Sequence, residues 1–519
     1  MTQNTRGQWG SKVGFILAAS GSAIGLGNIV FFSANAYKFG GGAFYLPYLI
    51  ALFVIGIPVM ILEFGLGHRT RRAFPEALHR AAGKKGEFVG WWALMNASFI
   101  ACYYITILGW VIGMFVGAFG QLWQPSTPTP GFGPTELANP HGYFFSMLSS
   151  WQPMIYVAVV WVLNAILVRR GAVTIEAAVK IFVPLMWVFM IVLIIRGVTL
   201  ENGIQGVWLL FTPNFSVMKD PAVWQGAFSQ IFFTLSLGFG IMTAYASYLP
   251  KDADTTNNGI LTGLLNCGFE YIAGLAVFSI LFAFAMVPSA STLAMMFFIV
   301  PTGIGQLPGG DPGVIGFGLM FFLLLLLAGL SSSVSLVEGL ASSLIDKFNV
   351  SRARALTIFC IFGFIGSALF TLPQIVNPGL ENDGTLGLTL LDLTDHWAFS
   401  YGLLIVGLLE CLLVGWALGT TTLRDHINLT SKWKLGVWYD GLIKFVIPLL
   451  LILVLVWAVK DEVGGLYGMD YAPNYTDAFS WMARSPIAVL AVWIAITVGM
   501  AGWFTSRGSY TESMEEHRS

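Results

Sequence analysis

Apolar residues in this chain do not alternate with polar ones. They run in unbroken stretches of about 20, the length an α-helix needs to cross the hydrocarbon core of a bilayer. Twelve stretches qualify, near residues 13–37, 43–66, 90–118, 153–168, 177–196, 224–248, 258–287, 315–345, 353–372, 396–418, 441–459 and 485–505. The pattern predicts an all-α polytopic membrane protein with 12 transmembrane helices. Lipid leaves no other way to satisfy so much backbone, short of a closed barrel.

Two of the stretches are interrupted where a membrane helix should be most regular. In the first, Gly21-Ser22-Ala23-Ile24-Gly25-Leu26-Gly27-Asn28 places three glycines within seven residues. Each glycine weakens a helix interior by about 1 kcal/mol against alanine, so the backbone is expected to unwind there. Unwound N–H and C=O groups at membrane depth must be buried in protein or bound by a ligand. The sixth stretch repeats the device in Thr234-Leu235-Ser236-Leu237-Gly238-Phe239-Gly240, roughly 210 residues later. Each interruption falls in the first helix of a five-helix half, and paired breaks in corresponding positions point to a transporter's binding site. The expected organisation is an N-terminal segment 1–12, a first five-helix repeat 13–196, an outer loop 197–223 and a second, inverted repeat 224–418. Helices 11 and 12 follow within 419–505, then a tail 506–519.

Composition agrees. The chain is 56% hydrophobic and 10% charged, where a soluble domain carries about 25% charged residues. A net charge of −1 argues against a nucleic-acid partner. Lys and Arg set the orientation: with the N-terminus inside, 21 of 26 fall on the inner face, and only Lys38, Arg196, Lys219, Lys460 and Arg484 fall outside. Both termini are therefore expected in the cytoplasm, in a multi-pass cell (inner) membrane protein. Arg6 and Lys12 run straight into the first stretch without a small-residue cleavage site, so no cleavable signal is expected. The first inner loop, His68 to Glu87, carries six basic residues and reads as a surface helix against anionic lipid. The outer loop near 119–152 is rich in Pro, Gly and Thr. Gly109, Gly113 and Gly117 predict close helix packing. Gly171 and Pro184 bracket the entry to the fifth span, where a break is expected. The four cysteines all fall in apolar segments, so no disulfide is expected. The six histidines show no metal-ligand spacing, and no nucleophile–base pair is evident, so the chain does not read as an enzyme.

Gly21–Asn28, Ile231–Gly240 with Tyr245-Ala246-Ser247-Tyr248, and Ala328-Gly329-Leu330-Ser331-Ser332-Ser333 together resemble the neurotransmitter:sodium symporters, above all their bacterial amino-acid branch. The resemblance runs from Trp9 to about Trp416 and is faint over the last two spans. It implies two sodium sites and no chloride. The first takes the Ala23 carbonyl, Asn28, Thr234, Asn266 and the substrate carboxylate. The second takes the carbonyls of Gly21, Ile24 and Ala328 with the hydroxyls of Ser331 and Ser332. Read without the resemblance, those serines would bond back to carbonyls one turn earlier. The substrate carboxylate is expected on the N–H groups of Leu26 and Gly27, at a half-helix N-terminus, with Tyr104 donating its hydroxyl. Ala23 and Thr234 belong to this substrate site too. Amine-carrying members place Asp where this chain has Gly25, so a substrate bringing its own carboxylate, an amino acid, is implied. Ile100, Phe233, Ser236, Phe239, Ser332 and Leu336 resemble the side-chain pocket. None is charged, which implies a neutral and apolar side chain.

Intramembrane carboxylates are functional hypotheses by default. Glu270 lies one helical turn from Asn266, where chloride-dependent relatives have serine and bind chloride through positions matching Tyr48, Gln230 and Thr234. Glu270 is expected to supply that charge, or to carry a proton outward. Glu63 resembles a structural brace for the two breaks; Glu338 and Glu410 have no assigned role. Arg6, Trp9, Tyr248 and Asp346 match the family's inner gate. At the outer gate the family's arginine and proline are replaced by Phe31 and Ser33, while Asp395 keeps the acidic partner's place. Phe31, Tyr104 and Phe239 are the expected closing residues. Lys38, on the same helix face but about 10.5 Å higher, is the alternative partner for Asp395. The resemblance implies sodium-coupled, chloride-independent import by alternating access. A tenfold sodium gradient and 100 mV acting on two ions supply roughly 7 kcal/mol, or about a 10⁵-fold accumulation. Proton-coupled or loosely coupled amino-acid transport is one alternative, and a non-transporting amino-acid sensor is another.

Overall fold

The computed structural model describes residues 7–123, 139–376, 386–471, 478–508 and 510. Among them, nine helices are long and apolar enough to cross a membrane, and counting each of two bent pairs as one span gives eleven. The remaining stretch forms Pro221–Thr234 and Ile241–Ala246, each too short alone, joined by unwound residues 235–240. Each of the twelve predicted stretches is helical apart from the breaks in the first and sixth, and the chain is an all-helical membrane protein.

The first break is narrower than the glycines suggest. Lys12–Ala23 stays helical through Gly21 and Ser22. The chain leaves the helix at Ile24, whose ψ is 98°, and Gly27–Lys38 departs at 59°. Gly21 serves packing instead, since a Cβ there would stand 2.9 Å from Val183 Cγ2. The second break is wider. Ser236, Gly238 and Gly240 all have positive φ, of 54°, 74° and 74°, a region cheap only for glycine. Glu63, fully buried on Gly41–Thr70, accepts the freed Gly238 N–H at 2.9 Å. Gly67 lets that same helix approach, because a Cβ there would meet the Thr243 carbonyl at 2.1 Å.

Local signals set the other boundaries. Asp220 caps the helix that begins Pro221, and Asp254 and Ser485 cap Thr255–Ala283 and Pro486–Ser506. Asn349, at φ 50°, ends Gly310–Phe348. Gly109, Gly113 and Gly117 face Val157, Met147 and Tyr143 at distances no Cβ could share, as their spacing predicts. The expected break in the fifth span is absent: Ala172–Val198 is one helix with Pro184 inside it. Gly171, at φ 58°, precedes the helix instead of interrupting it. The third span begins much earlier than its apolar stretch, at Phe74, and absorbs the basic loop with a kink at Ala82–Gly83. The tenth extends over Leu386–Thr430. Burial separates inner from outer spans. Of the most apolar part of Gly41–Thr70, 78% is buried, against 28% for Ala172–Val198 and Pro486–Ser506. The latter two are left to face lipid.

Candidate functional site

The two breaks meet. Leu26 N–H donates to the Tyr104 hydroxyl at 3.2 Å. A Cβ added to Gly25 would lie 2.8 Å from both Tyr104 Oη and Ser332 Oγ, so three elements converge on a residue without a side chain. Around it lies a small cavity bordered by Ile100, Phe233, Ser236, Phe239, Ser332 and Leu336, with Ala23, Gly27 and Asn28 completing the wall. Every side chain assigned to the apolar pocket therefore borders one space, and none is charged.

Beside it, three polar side chains from three helices close on each other. Asn28 Nδ2 donates to Thr234 Oγ1 at 3.0 Å and to Asn266 Oδ1 at 2.8 Å. Asn266 Nδ2 donates to Thr234 Oγ1 at 2.9 Å, and Gly25 N–H donates to Asn28 Oδ1 at 2.7 Å. Neutral amide, hydroxyl and carbonyl oxygens are the donor set a hard cation takes. A second cluster lies across the first break. Ser331 Oγ donates to Ala328 O at 2.8 Å and lies 3.5 Å from Ile24 O. Ser332 Oγ reaches Ser22 O at 2.9 Å, Ile24 O at 3.4 Å and Ala328 O at 3.3 Å. These serines bond back along their own helix and also across to the first. Gly21 borders the cluster, 3.6 Å from Ser331 Cβ as measured from its ideal Cβ position.

Glu270 is fully buried and held by three donors. Thr234 Oγ1 donates to its Oε1 at 2.6 Å and Gln230 Nε2 at 3.0 Å, while the Tyr48 hydroxyl donates to Oε2. Thr234 thus links Glu270 directly to Asn28 and Asn266.

At the inner end Trp9 Nε1 donates to Tyr245 O at 2.8 Å and Trp9 N–H to Tyr248 O at 3.2 Å. Asp346 accepts the Ala73 N–H at 2.8 Å, with Arg72 at 3.9 Å. Arg6 lies outside the described residues. Tyr248 turns its hydroxyl to Glu338, which also takes a two-pronged contact from Arg352 at 2.5 and 3.0 Å. Glu176 adds a further tie, accepting Gly10 N–H at 2.6 Å and the Ser11 hydroxyl at 2.8 Å. Arg352 and Glu176 are absent from the sequence-level site. A buried carboxylate such as Glu338 calls for a cation, and Arg352, just past the helix end at Asn349, was the available one.

The outer end differs from both expectations for it. Phe31 packs edge-on against Phe233 and Phe399, at centroid distances of 5.8 and 6.1 Å, and Phe233 meets Phe399 at 4.3 Å. Phe399 joins this cluster without having been among the expected closing residues, while Tyr104 and Phe239 border the central cavity. Asp395 accepts the Tyr103 hydroxyl at 2.6 Å. Lys38 lies over the Phe39 ring at 5.1 Å, so its described contact is with that ring and not with Asp395.

Broken helices enclosing oxygen-lined clusters and a neutral pocket at mid-membrane define a secondary transporter core, not an enzyme. Residues 6–128 and 145–501 match the sodium:neurotransmitter symporter family. The chain belongs to this family and is a sodium-dependent transporter. It is 38% identical over 485 residues to an uncharacterized sodium-dependent transporter of Methanocaldococcus jannaschii, covering 92% of this chain and 94% of that one. It is 26% identical over 553 residues to the human sodium- and chloride-dependent GABA transporter 2, covering 98% and 89%. Among solved structures it resembles MhsT in complex with L-phenylalanine, with a TM-score of 0.75 and 31% identity, covering 87% of this chain and all of MhsT.

Proposed function

We propose that this protein imports a neutral, apolar amino acid together with sodium, without chloride, by alternating access. The observation that carries the reading is the convergence on Gly25. The Leu26 N–H at a half-helix N-terminus and the Tyr104 and Ser332 hydroxyls converge on Gly25, where an Asp side chain would collide with them, so the negative charge is left for the substrate's own carboxylate to bring. The likeness to MhsT, solved with L-phenylalanine, supports an apolar amino acid. In this reading Asn28, Thr234 and Asn266 with the Ala23 carbonyl hold one sodium, and Gly21, Ile24, Ala328, Ser331 and Ser332 hold the other. Glu270, within the Tyr48, Gln230 and Thr234 ring, supplies the fixed charge or the proton that makes chloride unnecessary. Thr234, which donates to Glu270 and accepts from the Asn28 and Asn266 amides, couples Glu270 to the first sodium site.

The test is uptake of radiolabelled L-phenylalanine into proteoliposomes, with sodium and chloride varied separately. Uptake that needs an inward sodium gradient and is unchanged when gluconate replaces chloride supports the proposal. Glu270→Ser should make uptake chloride-dependent. Uptake driven equally by a proton gradient without sodium, or a parent protein that needs chloride, would overturn it. Binding without any counterflow would point to a sensor.

A further inference from the structure

The kinked start of the third span and the inner end of the tenth enclose two neighbouring spaces that the transport pathway does not use. The first is a cavity of about 190 Å³ bordered by Arg69, Thr70, Arg80, Leu66 and Leu418. That is ample for a tetrahedral anion, since about 10–15 Å³ holds one water. Arg80 is already committed, donating to Glu76 at 3.0 Å and to Thr70 O at 3.3 Å. Arg69 is not: its Nη1 is buried with no hydrogen-bond partner. A buried donor without an acceptor is costly, and an anion in this cavity would remove the cost. The second space is a groove of about 460 Å³ lined by Phe88, Val89, Leu409, Leu412 and Leu413, with Lys84 and Lys85 beside it.

The two spaces share the kinked start of the third span and the inner end of the tenth, and the end of the second span, carrying Leu66, Arg69 and Thr70, closes the cavity on a third side. Arg80 and Ala81 border the cavity and Lys84 and Lys85 the groove, one turn further along. Between them Gly83 takes a φ of 63° to kink the chain. On the facing span, Leu418 and Leu413 bracket a π-helical stretch, Leu413–Gly419, that packs on this helix. A cationic cavity beside a lipid-depth apolar groove fits a molecule with an anionic head and a hydrocarbon tail. We infer that this is a specific site for one anionic phospholipid, with its phosphate at Arg69 and Arg80, its headgroup edge at Lys84 and Lys85, and an acyl chain along Leu409, Leu412 and Phe88. The site lies on the face that carries most of the Lys and Arg, where anionic lipid attracts juxtamembrane basic residues. Two basic surface residues alone would not discriminate one lipid molecule; the cavity with an unpaired guanidinium donor beside a groove does.

The full chain, delipidated in a neutral detergent, is the sample. Added phosphatidylglycerol should raise the melting temperature by several degrees, and native mass spectrometry should show one tightly retained molecule. Phosphatidylcholine and inorganic phosphate should do neither. Arg69→Gln should weaken retention about tenfold. Lys84 and Lys85 are exposed, so the double variant Lys84→Gln/Lys85→Gln tests the site without endangering the fold and should weaken retention severalfold. Leu409→Trp, filling the groove, should act in the same direction. Lys432→Gln/Lys434→Gln, on the same face but outside the site, should behave like the parent. Equal stabilisation by phosphatidylcholine, the same shift from inorganic phosphate, or undiminished retention in all three site variants would each overturn the assignment. None of these readouts depends on which solute is transported.

Discussion

The residues proposed as the two gates meet by different chemistry. At the inner end Glu338 is fully buried and takes two nitrogens of Arg352 and the Tyr248 hydroxyl. At the outer end Phe31, Phe233 and Phe399 meet by their rings, and Asp395 accepts the Tyr103 hydroxyl. A buried ion pair is directional: with one partner removed, the other is left uncompensated at about 3–5 kcal/mol. Ring contacts are worth about 0.5–1.5 kcal/mol each and tolerate small displacements. An ion pair of this kind is either made or broken, while ring contacts of this kind form by graded burial.

The largest effect should come from breaking the inner pair. Arg352→Met strands Glu338 and should reduce sodium-driven accumulation at least tenfold, with faster deuterium exchange over residues 241–249. Replacing both partners, as Arg352→Met/Glu338→Leu, should recover part of the loss because no buried charge is then left alone. A single variant accumulating within twofold of the parent would show that the pair does not close the inner end.

Next in size is the attempt to convert the outer end to the inner kind. Phe31→Arg removes two ring contacts, roughly 1–3 kcal/mol, and offers its charge to an Asp395 that already has a donor. Uptake should fall about tenfold. If it rises well above the parent instead, the aromatic lid is a defect and not an adaptation.

What was legible in the sequence follows the same division. The breaks were legible because glycine and serine at membrane depth contradict a helix, although the actual unwinding spares Gly21 and Ser22. The cluster of Asn28, Thr234 and Asn266 was legible through motifs on three spans. Arg352 was not, because its partner sits 14 residues away across the Asn349 turn, and spacing alone does not fold that turn. Phe399 was not legible either. Aromatic residues make up 14% of the chain, so one more Phe in a span carries no contrast. The start of the third span was missed since the charged residues between 76 and 87 break the apolar run, while the helical segment from Phe74 joins the span only across the kink at Ala82 and Gly83.

Phe399→Ala should have the third-largest effect. It removes the ring that contacts both Phe31 and Phe233, but its site is half-buried, so the loss stays below the 3–5 kcal/mol of a full core truncation. Bound substrate should dissociate about fivefold faster, while Phe399→Leu, which keeps apolar volume, should stay within twofold. Equal loss in both variants would mean that the rings act by specific geometry and not by graded burial.

The smallest effect should come from Tyr103→Phe, and it bears most directly on the contrast between the two ends. It deletes the hydroxyl bonded to Asp395 at 2.6 Å and keeps the ring. Asp395 is only partly buried, so water can replace the lost donor, and a net change of about 0.5–1 kcal/mol is expected for one exchanged hydrogen bond. Uptake should fall about two- to fivefold, with little change in sodium dependence. A loss as large as that of Arg352→Met would mean that Tyr103 and Asp395 form an outer charge latch equivalent to Arg352 and Glu338. The rings would then be packing around that latch, and both ends would close by the same chemistry.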